Sequence, residues 1–333
     1  MPMSRRTFGQ LAVLAAGLAL VAPAGAARAA SEPVTIRYLA SQGGLSAHEL
    51  ADALGYFKDT GITLENVGYA QGGPASLFAL ASGDVELGSA ATAAVLNSIA
   101  GGNDFVAAYP SNGINTGTES VFYTLEGSPI TTIKDLQGKT IAVNTLGAHL
   151  DYTVREALHS VGLPENAAKL VVVPGPQLEQ VLRSKQVDVS AFGYWQKTFE
   201  GAALKNGPLQ KVFGDTDVLG EIAGGFVVLR RDWIAAHPEA ARIFVEKSQA
   251  ALEYARLHPE ETRALLKTAL AARNENPEIA QYFTGYGVRE GGKAVPRDLQ
   301  FWIDILTRSG SLREGQLKAE DILYDPAAFA AAN

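Results

Sequence analysis

The sequence contains no cysteine and only five histidines and two methionines among its 333 residues. Without cysteine there are no disulfides and no thiolate metal sites. The histidines His48, His149, His159, His237 and His258 form no H-x-x-x-H pair, and no imidazole–carboxylate group has metal-ligand spacing. There is no Walker loop, no G-x-S-x-G and no G-x-G-x-x-G; AQGGPA (70–75) is glycine-rich but lacks the lysine of a phosphate loop. A catalytic function therefore has only His48 and His149 to rest on, and neither a cofactor nor a metal is implied. A formal net charge of −7 disfavours nucleic acid and anionic membrane surfaces as partners. Past the first thirty residues no apolar run is long enough to span a bilayer.

Those first thirty residues are distinct. Arg5 and Arg6 precede the apolar run LAVLAAGLALVAPAGA, and Ala27-Arg28-Ala29 offers a small-x-small cleavage site. Charged, apolar and small-residue regions in this order make 1–29 an export signal, and SRRTF matches the twin-arginine pattern used by folded cargo. The alternative, a retained anchor, is opposed by the shortness of the run and by the lack of a cysteine for lipid attachment. The expectation is a periplasmic protein, more acidic than −7 once the signal and its arginines are removed.

What the remainder has is a repeat. TIRYLASQGGLSAHELADALGYF, ITLENVGYA and SLFALASGDVELGSAATAAVL are matched by TIAVNTLGAHLDYTVREALHSVG, AKLVVVPG and LEQVLRSKQVDVSAFGYWQ. His48 and His149 are 101 residues apart, as are Leu77 and Leu178, and Ser82, Val85 and Glu86 find counterparts in Ser184, Val187 and Asp188. Each block reads strand–helix–strand–helix–strand, with short β-branched strands and helices of 3.6-residue apolar period. Such alternation builds parallel sheets flanked by helices. The chain is therefore expected to be a two-lobed α/β protein, the alternative being a chance match between generic βαβ units.

Ligands of such sheets bind beyond the carboxyl ends of the strands. Those ends are the loops 41–48, 69–75, 88–92, 144–149, 173–177 and 192–196, rich in glycine and small residues, and several lead directly into helix N-termini that favour an anion. The two Ala-His turns would then form matching rims of one cleft, their imidazoles donating to an anion or merely packing the first turn of each helix. Further strands are read at 103–110, 119–126, 209–215 and 223–232. Their order makes 119–126 and 222–229 hinge strands, with 31–118 and 226–333 as lobe one and 119–225 as lobe two. Gly224 and Gly225 either pass the cleft or form a β-bulge. The C-terminal third is helical and packs back on lobe one, with the aromatic face of 297–310 in its core.

Several strings carry a family likeness: LADALGYFKDTGITLENV, LASGDVELGSA, SPITTIKDLQGKTIAVNTLGAH, VDVSAFGY and HPEAARIFVEKSQAALEYARLHPEE. Together they resemble the periplasmic binding components of ABC importers for sulfonates, taurine, nitrate and related solutes, the NMT1/THI5-like family, over nearly the whole chain after the signal. The resemblance implies a periplasmic-binding-protein type II fold, a venus flytrap that closes on one small anion and delivers it to an inner-membrane ABC permease, as a monomer. It also implies a pocket lined by Gln42, Gly43, His48, Gly72, Gly73, Ala90, Ala91, Thr92, Thr145, Gly147, Ala148, His149, Tyr194, Trp195 and Gly224. Many relatives place an acidic residue and then proline where this chain has Tyr194 and Trp195, which disfavours an amine-bearing ligand such as taurine.

Two aromatic residues there favour a ligand with an apolar or aromatic body, unless Trp195 belongs to the core of lobe two. The cleft strings hold no arginine or lysine, so an anion would be held by backbone N–H groups and by Gln42, Thr92, Thr145, His48 and His149. An alkyl or aryl sulfonate is the leading expectation. Taurine, nitrate, an aromatic carboxylate, a pyrimidine vitamin precursor or a ligand-sensing role are the alternatives.

Overall fold

The computed structural model describes residues 33–331, so the export signal expected at 1–29 lies outside the described residues. Lobe one opens with β1 (Val34–Ala40), α1 (Ala47–Ala53), β2 (Ile62–Tyr69), α2 (Gly73–Ser82), β3 (Leu87–Ala91), α3 (Thr92–Ala100) and β4 (Phe105–Ile114). Lobe two holds β5 (Val121–Leu125), β6 (Thr140–Val143), α4 (His149–Ser160), β7 (Lys169–Val172), α5 (Leu178–Arg183), β8 (Val189–Phe192), α6 (Lys197–Asn206), β9 (Leu209–Gly214) and α7 (Thr216–Leu219). The chain returns through β10 (Ile222–Arg230) and ends in α8 (Arg231–Ala236), α9 (Pro238–Leu257), α10 (Pro259–Ala272), α11 (Pro296–Arg308) and shorter segments. Pro238, Pro259 and Pro296 each occupy a helical first turn, where the missing N–H has no partner to lose. Among the described residues no helix is long and apolar enough to cross a membrane.

The lobe-two sheet has the order β7-β6-β8-β5-β9; β6 is parallel to β7 and β8, and β5 is antiparallel to β8 and β9. Lobe one repeats it. β1 pairs in parallel with β2, and β10 lies antiparallel between β3 and β4. The N–H of Glu86, just before β3, donates to the Arg37 carbonyl of β1 at 3.0 Å and joins the two parts. The matched acids at 86 and 188 do the same work in both lobes. Glu86 accepts the Arg37 N–H at 2.7 Å, and Asp188 accepts the Thr140 N–H at 2.8 Å. Each thereby satisfies a first-strand donor at the point where the third strand joins the sheet.

Helices cover both faces of each sheet. In lobe one, Ile36, Leu50, Phe244, Leu252 and Leu266 pack one side, and Leu80, Leu96, Phe226, Trp302 and Leu306 pack the other. In lobe two the corresponding sets are centred on Ile141, Leu150, Val154 and Val189, and on Leu178, Leu182 and Phe192. Trp302 of α11 is fully buried, as the aromatic face of 297–310 required.

The expected hinge strands do not themselves bridge the lobes. β5 pairs only with lobe-two strands and β10 only with lobe-one strands, so the crossings fall in the connections 115–120 and 215–221. Ile222 already pairs with Ile114, which puts residues 222–225 in lobe one, short of the boundary expected at 225. The two connections are stapled side by side. Asp215 accepts the Ser120 N–H at 2.9 Å through its carboxylate and donates its own N–H to the Ser120 carbonyl at 2.9 Å.

Phe244 is wholly buried, stacked on Phe57 with centroids 6.0 Å apart and an interplanar angle of 13°. Phe244→Ala should lower the unfolding free energy by about 3–5 kcal/mol, measured by denaturant titration.

Candidate functional site

The carboxyl ends of β1, β2, β3, β6, β7 and β8 meet between the lobes around a cavity of about 280 Å³. The N-termini of α2, α3 and α4 open onto it through Gly72–Gly73, Ala91 and Ala148. The paired glycines of AQGGPA are needed for different reasons. Gly72 has φ 122°, a left-handed conformation, and a Cβ on Gly73 would lie 2.6 Å from the Ala90 side chain. The start of α2 can therefore press against the end of β3.

Of the residues expected at the site, Gln42, Gly72, Gly73, Ala90, Ala91, Thr145, Ala148, Tyr194 and Trp195 line the cavity. Gly43 lines a smaller recess of about 70 Å³ beside it. His48, Thr92, Gly147, His149 and Gly224 line neither. Both imidazoles are turned into the protein. His48 Nδ1 lies 3.0 Å from the Tyr109 hydroxyl on β4, with the Tyr38 ring edge-on at 4.8 Å. Desolvation, reinforced by Arg273 and opposed by Glu49, lowers the His48 pKa to about 4, so the ring is neutral. His149 Nε2 lies 2.7 Å from the Asp215 carboxylate, boxed by the rings of Tyr194, Trp302 and Trp195. The Thr92 hydroxyl donates to the Ala223 carbonyl at 3.2 Å. Gly224 is both a bulge and a seat, since the β10 register shifts across it and a Cβ there would lie 2.4 Å from the Tyr194 ring.

Gly43 and Gly147 hold the rims together. The Gly43 carbonyl accepts the Thr198 hydroxyl of lobe two at 2.9 Å, while its N–H donates to Glu275 of its own lobe at 2.6 Å. The Gly147 carbonyl accepts the Asn97 amide of lobe one at 3.3 Å, while its N–H donates to Asp151 of its own lobe at 2.8 Å. Arg308 and Glu156 add an ion pair between the lobes at 2.5 Å. The lobes thus touch beside the cavity, which stays open to solvent along one rim at Gln42, Gln71 and Val172.

Residues not singled out from the sequence complete the wall. Ser41, Gln71, Asn144, Pro174, Pro176 and Gln196 lie in the loops identified from the strand ends, and Ser89 lies on β3 in the same region. Ser111 and Asn112 come from β4, where two polar residues interrupt an otherwise buried strand; that interruption was their sequence signal. Val172, Phe199 and Trp195 add apolar surface to the lining. Trp195 is partly buried and stands edge-on to Tyr194 at 4.6 Å, so it serves both core and cavity. Burial and the nearby Asp215 push the Tyr194 phenol well above its usual pKa, leaving it a neutral hydroxyl. Among the described residues no Arg, Lys, His, Asp or Glu lines the main cavity, and no group of three His, Cys, Asp or Glu could hold a metal ion.

Two outcomes follow from this geometry. Trp195→Ala should weaken binding of a tailed ligand by at least about tenfold, the loss expected for a buried aromatic anchor, and isothermal calorimetry would register an unchanged affinity if Trp195 were only core. His48 binds a proton more readily in the unfolded chain, at its ordinary value of 6.5, than in the fold, at about 4. The unfolded state holds more protons between these values, so this contribution to stability is full above 6.5 and is lost as pH falls toward 4. In denaturant titrations at several pH values, the stability gap between the protein and His48→Asn should be constant above that window and shrink within it.

The NMT1/THI5-like family model matches residues 47–262. No curated protein is significantly similar to the chain in sequence. Among solved structures, the periplasmic aliphatic sulphonate-binding protein SsuA of Escherichia coli superposes with TM-score 0.69 at 20% identity, over 89% of this chain and 93% of that one. The alkanesulfonate-binding protein SsuA of Xanthomonas axonopodis pv. citri, bound to MOPS, gives TM-score 0.69 at 19% identity, over 89% of this chain and 99% of that one. The periplasmic nitrate-binding protein NrtA of Synechocystis PCC 6803 gives 0.68 at 14% identity, over 91% and 89%. The two lobes, their shared strand order and these superpositions make the architecture that of a periplasmic binding protein, and the chain belongs to the NMT1/THI5-like family.

Proposed function

We propose that the protein is the solute-binding component of an ABC importer, working in the periplasm, and that it captures a small organic anion, foremost an alkyl or aryl sulfonate, for delivery to a membrane permease. The observation that carries this reading is the cavity between the lobes, whose lining combines neutral donors and three helix N-termini with the apolar Trp195, Phe199 and Val172. The polar groups suit an oxyanion; the apolar groups suit a tail. A cavity of about 280 Å³ leaves a bare nitrate mostly unaccompanied. The likeness to proteins named for sulfonate binding supports the same ligand class.

The amide groups of Gln42, Gln71, Asn112 and Asn144 also suit a carboxylate or a pyrimidine, which is the second reading. Thermal melting against alkyl and aryl sulfonates, taurine, nitrate, aromatic carboxylates and pyrimidines separates the two. A ligand that binds only the folded state raises the melting temperature by mass action. A shift with a tailed sulfonate is expected; a shift confined to carboxylates or pyrimidines would replace the ligand class and keep the binding role.

A further inference from the structure

We infer that the cavity selects singly charged anions and rejects both dianions and zwitterions of the same size, and that its wall of uncharged donors is the selector. This selectivity rests on the organic-anion reading above and adds to it the charge class of the ligand.

The side chains that can donate into the cavity, among them Gln42, Gln71, Ser89, Asn112 and Thr145, carry no formal charge. Charged groups on the neighbouring segments are engaged with other partners, Glu275 with the Gly43 N–H among them. Lys197, in the side recess, is paired with Glu200 at 2.5 Å. Arg273 donates to the Gly44 carbonyl at 2.8 Å and pairs with Glu49. Asp215 lies behind Tyr194, bonded to His149 and Ser120. The positive potential at the cavity therefore comes from dipoles: the N-termini of α2, α3 and α4, each equivalent to roughly half a charge at most, and the neutral donors. Pro74 in the first turn of α2 removes one N–H from that set.

Fixed dipoles attract an ion in proportion to its charge, but desolvation grows with the square of the charge. A dianion pays about four times the desolvation of a monoanion for about twice the attraction. A cationic centre on the ligand meets a different obstacle. It would enter a site polarised for anions and find no carboxylate in the lining.

Butanesulfonate, butylphosphonate and ω-aminobutanesulfonate share one carbon body and differ in charge. Calorimetry of the intact protein across neutral pH should give a constant affinity for the sulfonate. The phosphonate should lose at least about tenfold in affinity as it passes from monoanion to dianion, with proton uptake on binding visible as buffer-dependent heat. The amino derivative should bind at least about tenfold more weakly than butanesulfonate. Gln71→Lys, at an exposed rim position, should restore binding of the dianion. Equal affinity for the phosphonate dianion and the sulfonate, or for the amino derivative and the sulfonate, would overturn the selectivity alone. Failure of both monoanions to bind would overturn the organic-anion reading along with it.

Discussion

A polar ring inside an apolar core needs a partner, and the placement of the cleft depends on how one nitrogen of each of two such rings is paired. His48 and His149 sit at the starts of α1 and α4, and both are buried. One reaches Tyr109 on β4, the other Asp215 just beyond β9. β4 and β9 are the equivalent edge strands by which the chain leaves each lobe. Each imidazole therefore ties the first helix of a lobe to its exit strand, and the loop before that helix is fixed at the carboxyl end of the sheet. Leaving such a group unpaired costs about 1–3 kcal/mol, so the pairing is strongly specified. The histidines shape the rim without touching what the rim encloses.

That fixed rim allows one glycine in each lobe to act as a latch. Gly43 and Gly147 each give their N–H to a carboxylate of their own lobe and their C=O to a side chain of the other. The N–H bond anchors each glycine to its own lobe, and the C=O bond ties that glycine to the other. At the hinge, the reciprocal bonds between Ser120 and Asp215 keep the two connections in register, and His149 links this point to the aromatic wall of Tyr194 and Trp195. Motion of lobe two as one body about the connections is the simplest consequence.

Much of this was legible in the sequence because it is periodic or local. The offset between His48 and His149 exposed the repeat, and the structure shows the same strand order in both lobes. Strand ends marked the six loops that frame the cavity. Side-chain direction was not legible. Thr92 and Gly224 lie beside the cavity in sequence yet do not line it, because Thr92, the first residue of α3, turns its hydroxyl to the Ala223 carbonyl and the bulge at Gly224 breaks the strand alternation of β10. The hinge was misplaced by a few residues for a related reason: a strand's lobe is decided by its hydrogen-bonded neighbours, which are distant in sequence. β5 and β10 look like ordinary strands from their own residues.

The division of the donors between the lobes bears on release as much as on capture. Gln42, Gln71, Ser89 and Asn112 belong to lobe one with the starts of α2 and α3; Asn144, Thr145 and Gln196 belong to lobe two with the start of α4. No single group supplies a full charge, so neither half-site alone reproduces the field of the whole cavity. On the proposed function, an anion held by both halves would lose donors from one side as the lobes part, and water would return to screen the rest. A buried arginine would have kept its grip on one lobe after opening. A wall of shared, uncharged donors instead couples affinity to closure, so that whatever pulls the lobes apart also lowers the affinity for the ligand between them.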